Sequence, residues 1–96
     1  MAASSSLTQQ YVRTSDVIST DVAGDLVLLH TQNWNYFEFD KIAASIWKLL
    51  DAPRSLPALV EALVAEFEVD EAVCLSDTKA FLDDMIAQGL VTIVEG

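Results

Sequence analysis

Nucleophilic catalysis needs a nucleophile, a base and a group that orients the base. A thiol–imidazole pair could come only from Cys74 and His30, the single cysteine and the single histidine of the chain. The residue pattern puts Cys74 on a helix and His30 on a strand, and no motif surrounds either. Cys74 reads as a small core-facing residue rather than a reactive thiol. His30 reads as a strand residue near a turn rather than a base or metal ligand. A zinc site needs three or four Cys/His ligands, which this chain does not have. The Asp21–Asp25 turn does not alternate oxygen ligands ahead of a glycine as a calcium loop does. Asp83 and Asp84 are neighbours on a predicted helix, so their side chains diverge by about 100° and read as a solvated face. With Gly 3 in the whole chain, there is no phosphate-cradling loop and no nucleotide fingerprint. These residues point away from an enzyme, and neither a metal nor a cofactor is expected.

The elements that would hold these residues run strands first, helices afterwards. Asp16 to Val22 is β-rich, and Ala23-Gly24-Asp25 supplies turn chemistry. Leu26 to Thr31 reads as a second strand. Gln32-Asn33-Trp34-Asn35 breaks the run, and Tyr36 to Phe39 reads as a third. Its alternation puts Phe37 and Phe39 on one face, Tyr36 and Glu38 on the other. Asp40 is a good N-cap for a first helix carrying Ile42, Ala43, Ile46, Trp47, Leu49 and Leu50, with Pro53 as the stop. Ser55 caps a second helix, whose Pro57 is tolerable in the first turn. Its stripe is Leu56, Leu59, Val60, Leu63, Val64 and Phe67. A third helical region begins at Val69-Asp70 and carries Ala80, Phe81, Leu82, Met85 and Ile86, with Gly89 as its C′ residue. Leu90 to Val94 is a candidate short strand that could cover the first one. The expected fold is α+β and winged-helix-like: a three-stranded antiparallel sheet followed by three helices around one core. Residues 1–14 read as a flexible tail and residues 15–96 as a single domain.

The chain has 96 residues, a formal charge of −10 and 52% hydrophobic residues. That is one domain's worth of chain, rich enough in apolar residues to fill a core. The opening MAASSSLTQQ lacks the basic start and apolar run of a signal peptide. No apolar run approaches the roughly 20 residues that cross a bilayer. A lone cysteine fits a reducing compartment, so a cytoplasmic protein is the expectation. The acidic balance disfavours nucleic acids and anionic membranes as partners and suits a cationic or neutral peptide. It serves solubility equally well. Charge disfavours DNA binding through the third helix: Asp70, Glu71, Asp77, Asp83 and Asp84 stand there against Lys79.

A meander of three strands has two open edges. Tyr36 to Phe39 contains no proline and one charge, so few edge-blunting devices are present. An extended peptide could add to that edge as a further strand, with side-chain pockets beside it giving selectivity. Phe37 and Phe39 also read as core aromatics by their face. Trp34 and Tyr36 fit a surface or a buried role equally.

Asp25-Leu26-Val27-Leu28-Leu29, Tyr36-Phe37-Glu38-Phe39-Asp40, and the helix Ala43-Ala44-Ser45-Ile46-Trp47-Lys48-Leu49-Leu50-Asp51 together resemble the PqqD-like family of precursor-peptide recognition elements. These serve ribosomally made, post-translationally modified peptides. Pro53-Arg54-Ser55 with Leu59-Val60 and Leu63, and Asp77, Phe81-Leu82 and Gly89-Leu90-Val91, extend the resemblance over roughly Ser15 to Val94. Two positions depart from the pattern. Asn35 stands where the family often has a turn glycine, and Asn tolerates left-handed backbone. Phe39 replaces a frequent leucine and keeps its apolar role.

The resemblance implies a protein that holds the leader region of a precursor peptide along its third strand and third helix, then presents it to a separate peptidase or modifying enzyme. Carried over by position, the peptide-binding residues would be Tyr36, Phe37 and Glu38 on the strand, and Asp77, Ala80, Phe81 and Asp84 on the helix. Phe81 fits a core role too. Asp77 and Asp84 could pair with leader lysines or arginines, each such surface pair worth about 0–1 kcal/mol. The Trp47 helix and the Asp51-to-Ser55 segment look most like the stand-alone elements of lasso peptide clusters, whose partners would be a leader peptidase and a cyclase. The alternatives are a peptide chaperone of the pyrroloquinoline quinone pathway serving a radical SAM enzyme, and a docking subunit that binds no peptide.

Overall fold

Two hydrogen-bonded ribbons and three capped helices share one core. The computed structural model describes residues 9–23 and 25–95. In chain order the elements are β1 (Gln9–Arg13), β2 (Val17–Val22), β3 (Asp25–His30), β4 (Tyr36–Phe39), α1 (Lys41–Leu49), β5 (Arg54–Ser55), α2 (Leu56–Phe67), α3 (Glu71–Ala87) and β6 (Val91–Glu95). The architecture is α+β. The expected meander is present as the sheet β2-β3-β4, antiparallel throughout. β3 buries Leu26, Leu28 and His30 and leaves Val27 and Leu29 half-covered, the alternation of a strand with one face on a core.

A second sheet, ordered β5-β1-β6, corrects two expectations. Residues 9–13, taken from sequence as part of a loose tail, form β1 and pair antiparallel with β6 from Gln9↔Glu95 to Arg13↔Val91. Tyr11 is 3% exposed, so this strand belongs to the core. The C-terminal strand exists, but it covers β1, and among the described residues the outer edge of β2 stays open. The rest of the expected tail, residues 1–8, lies outside the described residues. At the end of β1 the chain is tied down by Arg13 N–H to Leu50 O (3.0 Å) and Thr14 N–H to Leu90 O (2.9 Å).

Each helix begins on the cap its sequence supplies. Asp40, Ser55 and Asp70 accept hydrogen bonds from the backbone N–H groups of Ala43, Ala58 and Val73. Leu50, Leu59, Leu63, Leu82, Leu90 and Val91 are fully buried where the helices meet β1, β3 and β6. Among the described residues no helix is long and apolar enough to cross a membrane.

After α3, Gly89 adopts φ +78°, where an L residue is strained. A Cβ there would meet His30 Nε2 at 3.6 Å, an ordinary contact. Gly89→Ala is therefore expected to cost about 1–2 kcal/mol through backbone strain alone, read as a lower urea midpoint with an unchanged m-value.

Candidate functional site

Among the described residues, β4 has β3 on one side and no strand on the other. Which of its backbone groups are free follows from the hydrogen-bond phase. His30 N–H donates to Asn35 O at 2.8 Å. In the register Leu28↔Phe37 and Leu26↔Phe39, bonded pairs alternate from that point. Phe37 and Phe39 thus turn their N–H and C=O groups toward β3. Tyr36 and Glu38 turn theirs to the open edge.

The turn leading into this edge is tightly tied. Trp34 N–H donates to His30 O (2.8 Å), and Asn35 N–H to Asn33 Oδ1 (3.1 Å). The left-handed residue here is Trp34 (φ 63°), one position before Asn35, where the sequence suggested it. The Asn33 side chain holds the Asn35 N–H and moves the reversal back by one residue. His30 bolts the turn down: its Nδ1 accepts the Gln32 N–H (3.1 Å), so its Nε2–H donates to Gly89 O (3.2 Å). Both ring nitrogens are committed to structure. Cys74 is likewise buried, beside the Thr78 hydroxyl at 3.7 Å.

α3 runs past the open edge. Asp77, Ala80, Phe81 and Asp84 are spaced i, i+3, i+4, i+7 and share one helical face. Between this face and β4 lies a groove of about 320 Å³ lined by Phe37, Glu38, Phe39, Asp84 and Met85, with Phe81, Asp40 and Ala43. An adjoining recess of about 280 Å³ brings in Asp77, Ile42 and Thr78. The aromatic wall is fixed from below. Phe39 meets Phe81 edge-to-face at 5.3 Å between centroids, and meets Trp47 in the same manner at 6.1 Å. Phe81 is half-buried: one side anchors the core and the other faces the groove.

The structure therefore gathers Phe37, Glu38, Asp77, Phe81 and Asp84 around one continuous cleft. Tyr36 does not line it. It is 69% exposed on the opposite face of β4 and reaches the edge only through its backbone. Ala80 is exposed and lines neither hollow. Sequence reasoning missed Asp40, Ile42, Ala43 and Met85 as cleft residues. Asp40 was read as a cap, Ile42 and Ala43 as a helix stripe and Met85 as an apolar helix face. Their place at the end of β4 and one turn beyond Phe81 was the available signal.

The floor of the cleft is apolar and its rim is acidic: Asp40, Asp77 and Asp84, with Glu38 at the strand edge and its side chain on the Tyr36 face of β4; no basic side chain is among the lining residues. Lys79 is engaged elsewhere, with its Nζ on both Asp83 oxygens at 2.7 and 2.8 Å. That hydrogen bond, against a small opposing effect of burial, raises its pKa. The pair is solvent-exposed and adds little to stability.

An α+β domain with an unpaired strand edge beside an apolar, acid-rimmed cleft is built as a peptide-recognition module. The chain belongs to the PqqD family: the family model, described as coenzyme PQQ synthesis protein D, matches residues 25–91. Among solved structures, TbiB1 in complex with the TbiA(beta) leader peptide is 30% identical, with a TM-score of 0.75 over 83% of this chain and 93% of that one. A lasso peptide synthetase B1 complexed with the leader peptide has the same fold at 20% identity and a TM-score of 0.75, over 85% and 96% of the two chains. No curated protein sequence matches this chain.

Proposed function

We propose that this protein binds the leader region of a ribosomally made precursor peptide as an added strand on β4, with α3 closing the other side. It then presents the peptide to a leader peptidase or other modifying enzyme, in a pathway of the lasso type. The protein acts by binding and performs no chemistry of its own. The observation that carries this reading is the free backbone of Tyr36 and Glu38 beside the Phe37–Phe39–Phe81–Met85 floor. The 30% identity to a protein solved with its leader peptide supports the binding of a leader. The buried free thiol of Cys74 suits a reducing cytoplasm as the place of work.

A strand added to β4 alternates its side chains as β4 does. Every second residue enters the cleft, where an apolar side chain meets the floor and a lysine or arginine meets Asp77 or Asp84. The test is a fluorescence-anisotropy titration with labelled leader peptides from precursor genes neighbouring this one. Saturable binding is expected, weakened at least about tenfold by Phe81→Ser in a protein whose circular dichroism is unchanged. Tyr36→Ser is expected to do less, because Tyr36 offers the peptide mainly backbone. Affinity should fall as salt rises from about 50 to 500 mM, since the rim charges are exposed. No binding by any candidate leader to a folded protein would favour a docking subunit instead.

A further inference from the structure

Among the described residues the sheet has a second open edge, on β2, and it differs in chemistry from the one on β4. Thr31 N–H donates to Asp16 O at 2.9 Å, and the register continues Ile18↔Leu29, Thr20↔Val27, Val22↔Asp25. By the same alternation, Ile18, Thr20 and Val22 bond to β3 while Val17, Ser19 and Asp21 turn their N–H and C=O groups outward. The strand has no proline and no lysine, and its Ile18 and Val22 are 61% and 52% exposed. Its one edge-guarding device is the charge of Asp21.

Beside this edge lies a cleft of about 370 Å³ lined by Arg13, Thr14, Ser15, Val17, Ser19, Trp47 and Asp51. Arg13 is held in place there. Its guanidinium carbon sits 5.5 Å from the Trp47 ring centroid, and Nη1 donates to Trp47 O at 3.3 Å. Asp51, the acid of the cleft, lies 3.9 Å from Arg54. Arg13 thus offers its remaining donors to a carboxylate arriving along β2.

We propose that β2 pairs antiparallel with β2 of a second copy, on a two-fold axis through Ser19. In that register Val17 lies opposite Asp21 of the other copy and Ser19 opposite its own equivalent, so the outward-facing groups of both strands bond to each other. Val17, Ser19 and Asp21 share one face of the strand, because side chains alternate. Val17 and Ser19 line the Arg13 cleft on that face. The incoming Asp21 therefore lands on the Arg13 side, where its charge meets a cation and no longer guards the edge. The acid opposite Val22 is Asp16, so no two acids face each other across the pair. β2 and β4 are opposite edges of the sheet, with β3 between them, so the dimer leaves the β4 edge unpaired.

A strand-to-strand contact this short lies at the small end of specific interfaces. Sedimentation equilibrium of the full chain at about 100 µM, in about 150 mM salt to screen the net charge, should find dimer that dissociates on dilution. Ser19→Pro removes an outward N–H that β3 does not use, and should give monomer at the same concentration with unchanged circular dichroism. Asp21→Lys, which sets a lysine against Arg13, should weaken association at least tenfold. Leader-peptide affinity should be the same in both variants, so failure here is separable from failure of the leader-binding reading. A monomeric wild type at that concentration overturns the proposal. So does a dimer that survives Ser19→Pro, or one that leader peptide or Glu38→Pro disperses, because that dimer would use β4.

Discussion

A Glu38→Pro protein is expected to fold normally and to bind a leader peptide about 10- to 100-fold more weakly than the parent. Proline removes one backbone N–H and holds φ near −65°. At most strand positions that breaks a ladder bond, but at Glu38 the N–H points away from β3, as the His30–Asn35 bond and the Leu28↔Phe37 register require. An edge strand tolerates proline where its N–H faces outward. Phe37, the residue before it, is already extended as a pre-proline residue must be. A peptide added to β4 loses its partner for one carbonyl, a cost of about 1–3 kcal/mol when that carbonyl is left buried. Phe37→Pro is the control. Its N–H belongs to the β3 ladder, so that variant should lose thermal stability as well as binding. Anisotropy titration and thermal melts of the two proteins test this together. Unchanged affinity in a folded Glu38→Pro protein would rule out strand addition at β4.

The largest effect on stability is expected from Tyr11→Ala, about 3–5 kcal/mol, as for other large buried aromatics. Tyr11 is 3% exposed at the centre of β1, opposite Ile93 on β6 and Arg54 on β5. Losing the ring opens a cavity where the second sheet meets the helices. In a domain this small, that approaches the whole margin of stability. Urea denaturation followed by tryptophan fluorescence should show a strongly lowered midpoint. A chain trimmed to residues 15–96, the domain boundary the sequence suggested, should fare worse, because β6 and β5 lose their shared partner. A trimmed chain as stable as the full one would mean that β1 is dispensable. The matched family region, residues 25–91, also begins after β1 and β2, so these strands lie beyond what the family pattern describes.

Local chemistry made much of this protein legible in its residues. The alternation of Tyr36-Phe37-Glu38-Phe39 put Phe39 inward and Glu38 outward, and the structure agrees. Asp40, Ser55 and Asp70 mark where three helices start because each cap is satisfied by neighbours a few residues away. Gly89 marks a stop because only the local backbone decides a left-handed turn. The cleft residues on α3 came from the family resemblance by position; helical spacing puts Asp77, Ala80, Phe81 and Asp84 on one face, yet Ala80 lines neither hollow. Strand pairing between distant segments was not legible. Gln9–Arg13 looks like any short polar stretch until Val91–Glu95 lies beside it, because a strand's hydrogen-bond partners come from elsewhere in the chain. The same reason left undecided whether the C-terminal strand covers β2 or β1, and whether Phe81 serves the core or the cleft, and it hid the exclusion of Tyr36 from the groove. Periodicity says which way a side chain points relative to its own element. Only the packing of elements decides what it then faces.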